Sequence, residues 1–297
     1  MKKTLFTAAA MIAASLLVVG SGQAGEKAET GKGRGHYVPV NGLDMYYEEY
    51  GKSTGTPLVL LHGAFSATGT SFGELIPFLS KHRRVISVEQ QAHGHTADID
   101  RPLRMSTMAE DTAALLGKIG VTNADFFGYS MGAGIALELG IRHPELTRKL
   151  VLASVSAKPE GLHPGVLDGI KDLEPSMLEG SVFHQEYLRI APRPQDFPKL
   201  VERVKEMDGN LPTVPDEAVR GVKAPTQLII GDSDIVRPEH AVELFRLLGG
   251  GVMGDTPEGL PASQLVVLPA TSHITLPSRD DLLRPAIPAF LDAPMPK

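Results

Sequence analysis

Asp125-Phe126-Phe127-Gly128-Tyr129-Ser130-Met131-Gly132-Ala133-Gly134 reads as an apolar strand, a sharp turn and the start of a helix, and this reading decides the fold. At its centre Gly128-Tyr129-Ser130-Met131-Gly132 fits the pattern G-x-S-x-G. The spacing has a physical reason. A serine on a tight strand-to-helix turn is held in a strained backbone conformation that pushes its hydroxyl outward. Glycines two residues to either side let neighbouring backbone pass close by. The helix that follows aims free N–H groups at the place where an oxyanion would form. In a chain with 31 glycines among 297 residues such a pentapeptide also arises by chance as an ordinary strand–helix turn, so the flanking sequence must decide.

Working outward, residues 57–61 (PLVLL) and 85–88 (VISV) are continuous apolar runs of the kind that form buried parallel strands. Downstream, residues 150–153, 225–230 and 264–268 repeat the pattern. Helical spacing falls between them over 71–80, 105–119 (with Ser106 or Thr107 as cap), 133–142, 238–248 and 280–291. Strands alternating with helices predict an α/β fold, a doubly wound and mostly parallel sheet. Residues 36–40 and 43–50 add a hairpin joined by Asn41-Gly42. From Ala157 to about Val222 the alternation stops. Short helical patterns there are punctuated by Pro164, Pro175, Pro192, Pro194, Pro198, Pro212 and Pro215. The segment is too long for one crossover and predicts an inserted helical lid. The chain therefore divides into core residues 25–155, a lid over 156–222, and core residues 223–297.

Composition excludes several function classes. The chain is 42% hydrophobic and 22% charged, with net charge -6 and no long run of either sign, which argues against a nucleic-acid surface. Cysteine is absent, so there is no disulfide, thiolate metal site or thiol nucleophile. Met1-Lys2-Lys3, the apolar run from Leu5 to Val19, and Gly22-Gln23-Ala24 predict a signal peptide over residues 1–24 with the mature chain starting at Gly25. The expected location is periplasmic or secreted, with no stable membrane insertion once the short apolar run is removed.

Partners for Ser130 must sit at carboxyl ends of strands, where open α/β sheets bind ligands. Ile230 closes a predicted strand and Gly231-Asp232-Ser233-Asp234 follows; His273 lies in the loop Pro269-Ala270-Thr271-Ser272-His273 after the next one. The order is serine, acid, histidine. His273 as general base would take the proton of Ser130, and a carboxylate on its other ring nitrogen would fix the tautomer. The residues alone leave both Asp232 and Asp234 open as that carboxylate.

On these motifs the sequence resembles the α/β-hydrolase superfamily from the hairpin near His36 to the last helix. The match comprises His62-Gly63, Ala92-His93-Gly94-His95-Thr96, Gly128 to Gly132, Arg142-His143-Pro144-Glu145, Gly231 to Asp234, and His273. The resemblance implies a triad of Ser130, His273 and Asp234, the acid three residues after Gly231, with Asp232 shaping the turn. It implies oxyanion-hole N–H groups on Met131 and Ala64, with Phe65 the fallback for the second; Ala64 departs from the bulkier residue or glycine of many relatives. It makes His62 and His93 structural. Neither has a second ligand at metal spacing, so no metal is expected. Gly132 and Gly134 lack a G-x-G-x-x-G pattern, so no cofactor is expected either. Residues 249–255 (GGGVMGD) resemble a phosphate loop but fall at the wrong end of the sheet, and Ser154-Val155-Ser156 offers no acid.

The implied activity is hydrolysis of a small-molecule carboxylic ester through an acyl-enzyme. A lactone or C–C bond hydrolase would use the same residues, and serine at the elbow excludes the haloalkane and epoxide branches. The Gln91 to Asp98 and Gly231 to His240 stretches are also similar to those of bacterial macrolide-ring esterases. A hydrolase-like ligand receptor with slow turnover is the alternative from another class. Candidate substrate contacts are Phe65 and Tyr129 beside the motifs, and Phe183 and Tyr187 in the lid, where Met177, Leu178, Val182, Leu188 and Ile190 share mixed helical spacing.

Overall fold

The computed structural model describes residues 33–52, 54–257 and 259–295. The signal peptide expected over residues 1–24 lies outside them. No helix among the described residues is long and apolar enough to cross a membrane.

Strands β1 (Arg34–Val40) and β2 (Leu43–Tyr50) pair antiparallel around Asn41 and Gly42, both at positive φ (48° and 87°). That is the turn whose twist matches a hairpin. Then come β3 (Leu58–Leu61), α1 (Thr68–Phe72), α2 (Ile76–Leu79), β4 (Val85–Val88), α3 (Met105–Lys118), β5 (Ala124–Tyr129), α4 (Met131–Arg142) and β6 (Thr147–Ala153). Helices α5 (Val166–Lys171), α6 (Val182–Ile190), α7 (Phe197–Gly209) and α8 (Asp216–Arg220) follow. The chain returns to the sheet with β7 (Thr226–Ser233), α9 (Pro238–Leu247), β8 (Gln264–Ser272) and α10 (Asp280–Asp292). The strand order is β1-β2-β4-β3-β5-β6-β7-β8, with β1 and β2 antiparallel and β4 through β8 parallel.

The apolar runs of β3, β4 and β6 are continuous because both faces of the sheet are covered there, while edge strand β8 leaves Val267 about half exposed. Alternate residues of one strand serve different layers. Val59, Leu61, Phe126, Leu150 and Leu152 pack with α3, α4 and α9 through Met108, Leu115, Ile135, Leu139 and Leu244. Leu58, Leu60, Phe127 and Val151 pack with α1, α2 and α10 through Phe72, Leu75, Ile76, Leu79, Leu283, Ile287 and Phe290. From β3 the chain steps to β4 on one side and then crosses to β5 on the other. The loops leaving β3 and β5 therefore meet at a switch point of the sheet, where a crevice opens.

Several boundaries differ from the sequence reading. The helix expected over 71–80 is two short helices, α1 ending at a Gly73 cap and α2 starting afresh with Pro77 in its first turn, where a missing N–H is harmless. Helix α3 is preceded by extended Arg104 and has no side-chain cap, so Ser106 and Thr107 sit inside its first turn. Helix α4 begins at Met131, directly behind Ser130. Strands β7 and β8 run on to Ser233 and Ser272, pairing Ser233 with Ser272 after a register shift. Asp232 consequently lies on a strand extension, and β8 delivers His273 without an intervening loop.

Between β6 and β7 the described chain is helical, with one isolated bridge, Leu162 to Val236. That bridge, His163 N–H to Ile235 O (2.9 Å) and Arg237 N–H to Gly161 O (2.9 Å) tie the start of the segment to the loop after β7. Buried His240 adds a tether, its Nε2 accepting from Ala157 N–H (3.1 Å) while its Nδ1 meets Glu243 (2.8 Å).

Candidate active site

Ser130 sits between β5 and α4 with φ 55° and ψ -119°, a region costing a non-glycine residue about 1–3 kcal/mol. The flanking glycines explain how it is held there. A Cβ on Gly132 would lie 1.9 Å from the Leu61 carbonyl oxygen, and one on Gly128 would lie 2.1 Å from that of Gly132. Either would force β3, β5 and α4 apart. The Ser130 N–H donates to Ala153 O (2.9 Å), and the Ser130 carbonyl accepts from Ala133 (2.9 Å) and Gly134 (3.1 Å). The Met131 N–H donates to no described residue.

The Ser130 hydroxyl lies 3.0 Å from His273 Nε2, and His273 Nδ1 lies 2.9 Å from Asp234 Oδ1. Asp234 is buried and well supplied with donors. Oδ1 also accepts from Val236 N–H (3.2 Å); Oδ2 accepts from Gly231 N–H (3.2 Å) and the Ser154 hydroxyl. Burial pushes its pKa up, but the His273 and Ser154 hydrogen bonds and the charge of His273 outweigh that and hold the carboxyl below its ordinary value. With Asp234 ionised, Nδ1 carries the proton and Nε2 faces the serine as acceptor.

Asp232 points elsewhere. Its oxygens accept from Ala270 N–H (2.8 Å) and Thr271 N–H (3.0 Å), clamping the β8 extension that presents His273. Those backbone bonds keep its carboxyl below the usual range. Tyr129 supports His273 from beneath, its hydroxyl donating to the His273 carbonyl (2.8 Å) and its ring lying 5.3 Å from the imidazole. Burial and then the Asp234 charge raise its phenol pKa, so it stays a neutral donor. The Ser154 hydroxyl went unrecognised in a loop read only for its lack of an acid. The usable signal was its position, one residue past β6 and therefore beside β7 at the same edge.

On the other side, the loop after β3 brings Ala64 and Phe65 to Ser130, Phe65 at φ 62°. The Ala64 N–H, like that of Met131, donates to no described residue. His62 locks this loop, with Nε2 accepting from Gln90 N–H (3.1 Å) and Nδ1 donating to Gly63 O (2.8 Å). Its neighbour His93 donates from Nδ1 to Gln91 O (2.8 Å), and burial, helped by His62, drives its pKa down to about 3. Both rings are neutral brackets between loops. Glu89, which no motif flagged, joins the same loops by accepting from Thr68 N–H (3.2 Å), His95 N–H (2.6 Å) and His95 Nδ1 (2.9 Å). Among the described residues no group of three or more His, Cys, Asp or Glu side chains could hold a metal ion.

Above Ser130 and His273 lies a cavity of about 320 Å³ walled largely by apolar side chains, among them Phe65, Ile170, Leu173, Phe183 and Ile235. A smaller lobe of about 70 Å³ adjoins it, also reached by Ser130, Met131 and Ala64. A further cavity of about 330 Å³, between α3, α4 and the end of α7, contains neither Ser130 nor His273. Phe65, Tyr129 and Phe183, the candidate substrate contacts, line the main cavity. Tyr187 does not. It is buried inside the helical segment, its ring 5.4 Å from Phe197 and edge-on to it, and burial raises its phenol pKa to about 12. The reason is position along the helix and not phase: residues four apart share one face of α6 about 6 Å apart along its axis, so Phe183 reaches the cavity while Tyr187 packs on Phe197.

Fold and site together define the class. The chain has the α/β-hydrolase fold, and the family model described as the alpha/beta hydrolase fold matches residues 56–167, from β3 through the elbow to the start of α5. Among curated relatives, a provisionally named non-heme chloroperoxidase of Synechocystis sp. is 27% identical over 278 residues, 84% of this chain and 95% of that one. Among solved structures, a serine hydrolase involved in carbazole degradation superposes with TM-score 0.68 at 20% identity, covering 88% of this chain and 99% of its own. The enol-lactonase from Burkholderia xenovorans gives TM-score 0.64 at 20% identity over 87% of this chain and 100% of its own.

Proposed function

We propose that this protein is an exported serine hydrolase that cleaves a carboxylic ester through an acyl-enzyme. The observation carrying the proposal is the line from Ser130 Oγ through both ring nitrogens of His273 to Asp234, beside two amides with no acceptor among the described residues. In this reading His273 removes the hydroxyl proton as Ser130 attacks the acyl carbon. Met131 and Ala64 N–H groups receive the oxyanion; loss of one such donor typically lowers turnover about 10²–10³-fold. His273 then protonates the departing alcohol, and water activated by the same ring releases the acid. The helices between β6 and β7 serve as the lid whose wall sorts substrates by size. A cyclic ester would open by the same steps with its alcohol still attached, and the fold shared with the enol-lactonase makes lactones part of the test.

The test is multiple-turnover hydrolysis of p-nitrophenyl esters of increasing acyl length, together with lactones, with products identified by mass spectrometry. Many turnovers per molecule with release of free acid support the reading. A single stoichiometric burst, or binding without product, would point to a receptor.

A further inference from the structure

One carboxyl in the cavity has no part in this chemistry. Asp208 lies in the last turn of α7 and lines both lobes above Ser130. The buried aspartates are answered, while Asp208 itself is partly exposed on the cavity wall. Asp98 meets Gln91, Lys199 and Arg203; Asp111 meets Asn41 and Arg101; Asp125 meets Arg83 and Arg148; Asp234 meets His273 and Ser154. The Asp208 carboxyl accepts no hydrogen bond and forms no ion pair among the described residues. Neither lobe is lined by a lysine or arginine, and the other titratable side chains there are Tyr129 and His273. Its neighbours on the wall are Ile170, Leu173, Leu211 and Ile235. The carboxyl end of a helix also disfavours negative charge. Burial pushes the Asp208 pKa up to about 7, against a partial opposing pull from His273.

A leucine here would complete an apolar pocket, and an asparagine would supply a neutral polar contact. A carboxylate with no partner among the described residues gains most from a ligand that brings positive charge into the same largely apolar cavity. We propose that Asp208 is a specificity residue receiving a cationic nitrogen, so that the preferred substrates are esters carrying an ammonium group, bound with that group under α7 and the ester carbonyl at Ser130. The proposal rests on the ester-hydrolase reading above for its substrate, but not for its cation.

The test uses two esters of one shape, butyrylcholine and 3,3-dimethylbutyl butyrate, which differ by a quaternary nitrogen in place of a quaternary carbon. Because His273 acts alike on both, the ratio of their kcat/KM values isolates the charge. The wild type at pH 8 is expected to favour the cation about tenfold or more, as Coulomb attraction between opposite charges in a partly buried site allows. Asp208→Asn is expected to bring the ratio to within about threefold of one, and Asp208→Glu, which keeps the charge, to retain the preference. A wild-type ratio near one, or an Asp208→Asn variant with the wild-type ratio, overturns the inference. Calorimetric binding of benzyltrimethylammonium gives a readout independent of turnover, with affinity expected to fall about tenfold in Asp208→Asn. If p-nitrophenyl butyrate and both probes go unhydrolysed but the ammonium binds through Asp208, the ester reading fails and the cation site stands. If the ammonium does not bind, the cation site fails whatever the esterase result.

Discussion

Asp234 is bonded to His273, Asp208 lines the cavity that His273 also lines, and the regions that carry the two aspartates are built on different plans. At the carboxyl edge of the sheet, polar groups are answered across long sequence distances: Ser154 on Asp234, Tyr129 on the His273 backbone, Asp232 on Ala270 and Thr271. The helical segment between β6 and β7 presents Val166, Ile170, Leu173, Leu178 and Phe183 to the cavity, with Asp208 as its unanswered polar group. In the proposed function the first region would fix where atoms react, because strand ends and hydrogen bonds leave His273 little freedom. The second would decide what fits, because apolar contact is tolerant of shape and scales with area. Substitutions in the two regions therefore have different signatures.

The largest effect is expected at the edge. Asp234→Asn keeps the shape but favours the wrong tautomer of His273, and kcat is expected to fall about 10⁴-fold on every ester tested. Equal loss for small and bulky substrates marks a residue of the reaction and not of the pocket. A residue buried inside the helical segment behaves differently. Tyr187→Ala removes a packed ring and is expected to lower stability by about 3–5 kcal/mol, read as a lower denaturation midpoint. Selectivity between p-nitrophenyl acetate and a long-chain ester is expected to change little, since Tyr187 faces Phe197 and not the cavity. A large selectivity change would return Tyr187 to the pocket wall.

Phe183→Ala is the complement. The lost contact area is worth about 1.5–3 kcal/mol for a large side chain, so kcat/KM for bulky esters is expected to shift about tenfold or more while p-nitrophenyl acetate barely responds. An equal change on both would remove the helical segment from specificity. The smallest effect is expected at Asp232. Asp232→Asn keeps one oxygen for the β8 amides, so the loss in kcat is expected to stay below about tenfold, far short of that at Asp234. The reverse ranking would make Asp232 the acid.

The parts of this molecule legible in its sequence are those with local causes. Continuous apolar runs announced β3, β4 and β6 because both faces of those strands are covered, and Asn41-Gly42 announced the hairpin because its turn needs two positive φ angles. The elbow glycines were legible as a pattern, though their reason, the approach of the Leu61 carbonyl to Gly132, spans 71 positions in the chain. Choosing Asp234 over Asp232 needed the family resemblance, because two acids in one short loop look alike until the β7–β8 extension aims them apart. Ser154, Glu89 and the support from Tyr129 were illegible, since each acts on a partner brought near only by the sheet order. Asp208 carried no motif at all. In sequence it is one more polar residue near the end of an amphipathic helix.

The central claim is that Ser130 is the nucleophile, and covalent capture tests it most directly. Wild-type protein treated with a serine-directed alkylphosphonate fluorophenyl ester and analysed by intact and peptide mass spectrometry is expected to gain one adduct, located on Ser130, with activity lost in step. Ser130→Ala is expected to gain none while keeping its circular-dichroism spectrum, because only the hydroxyl is removed. An adduct on another residue, or full ester turnover by a folded Ser130→Ala protein, would contradict the account.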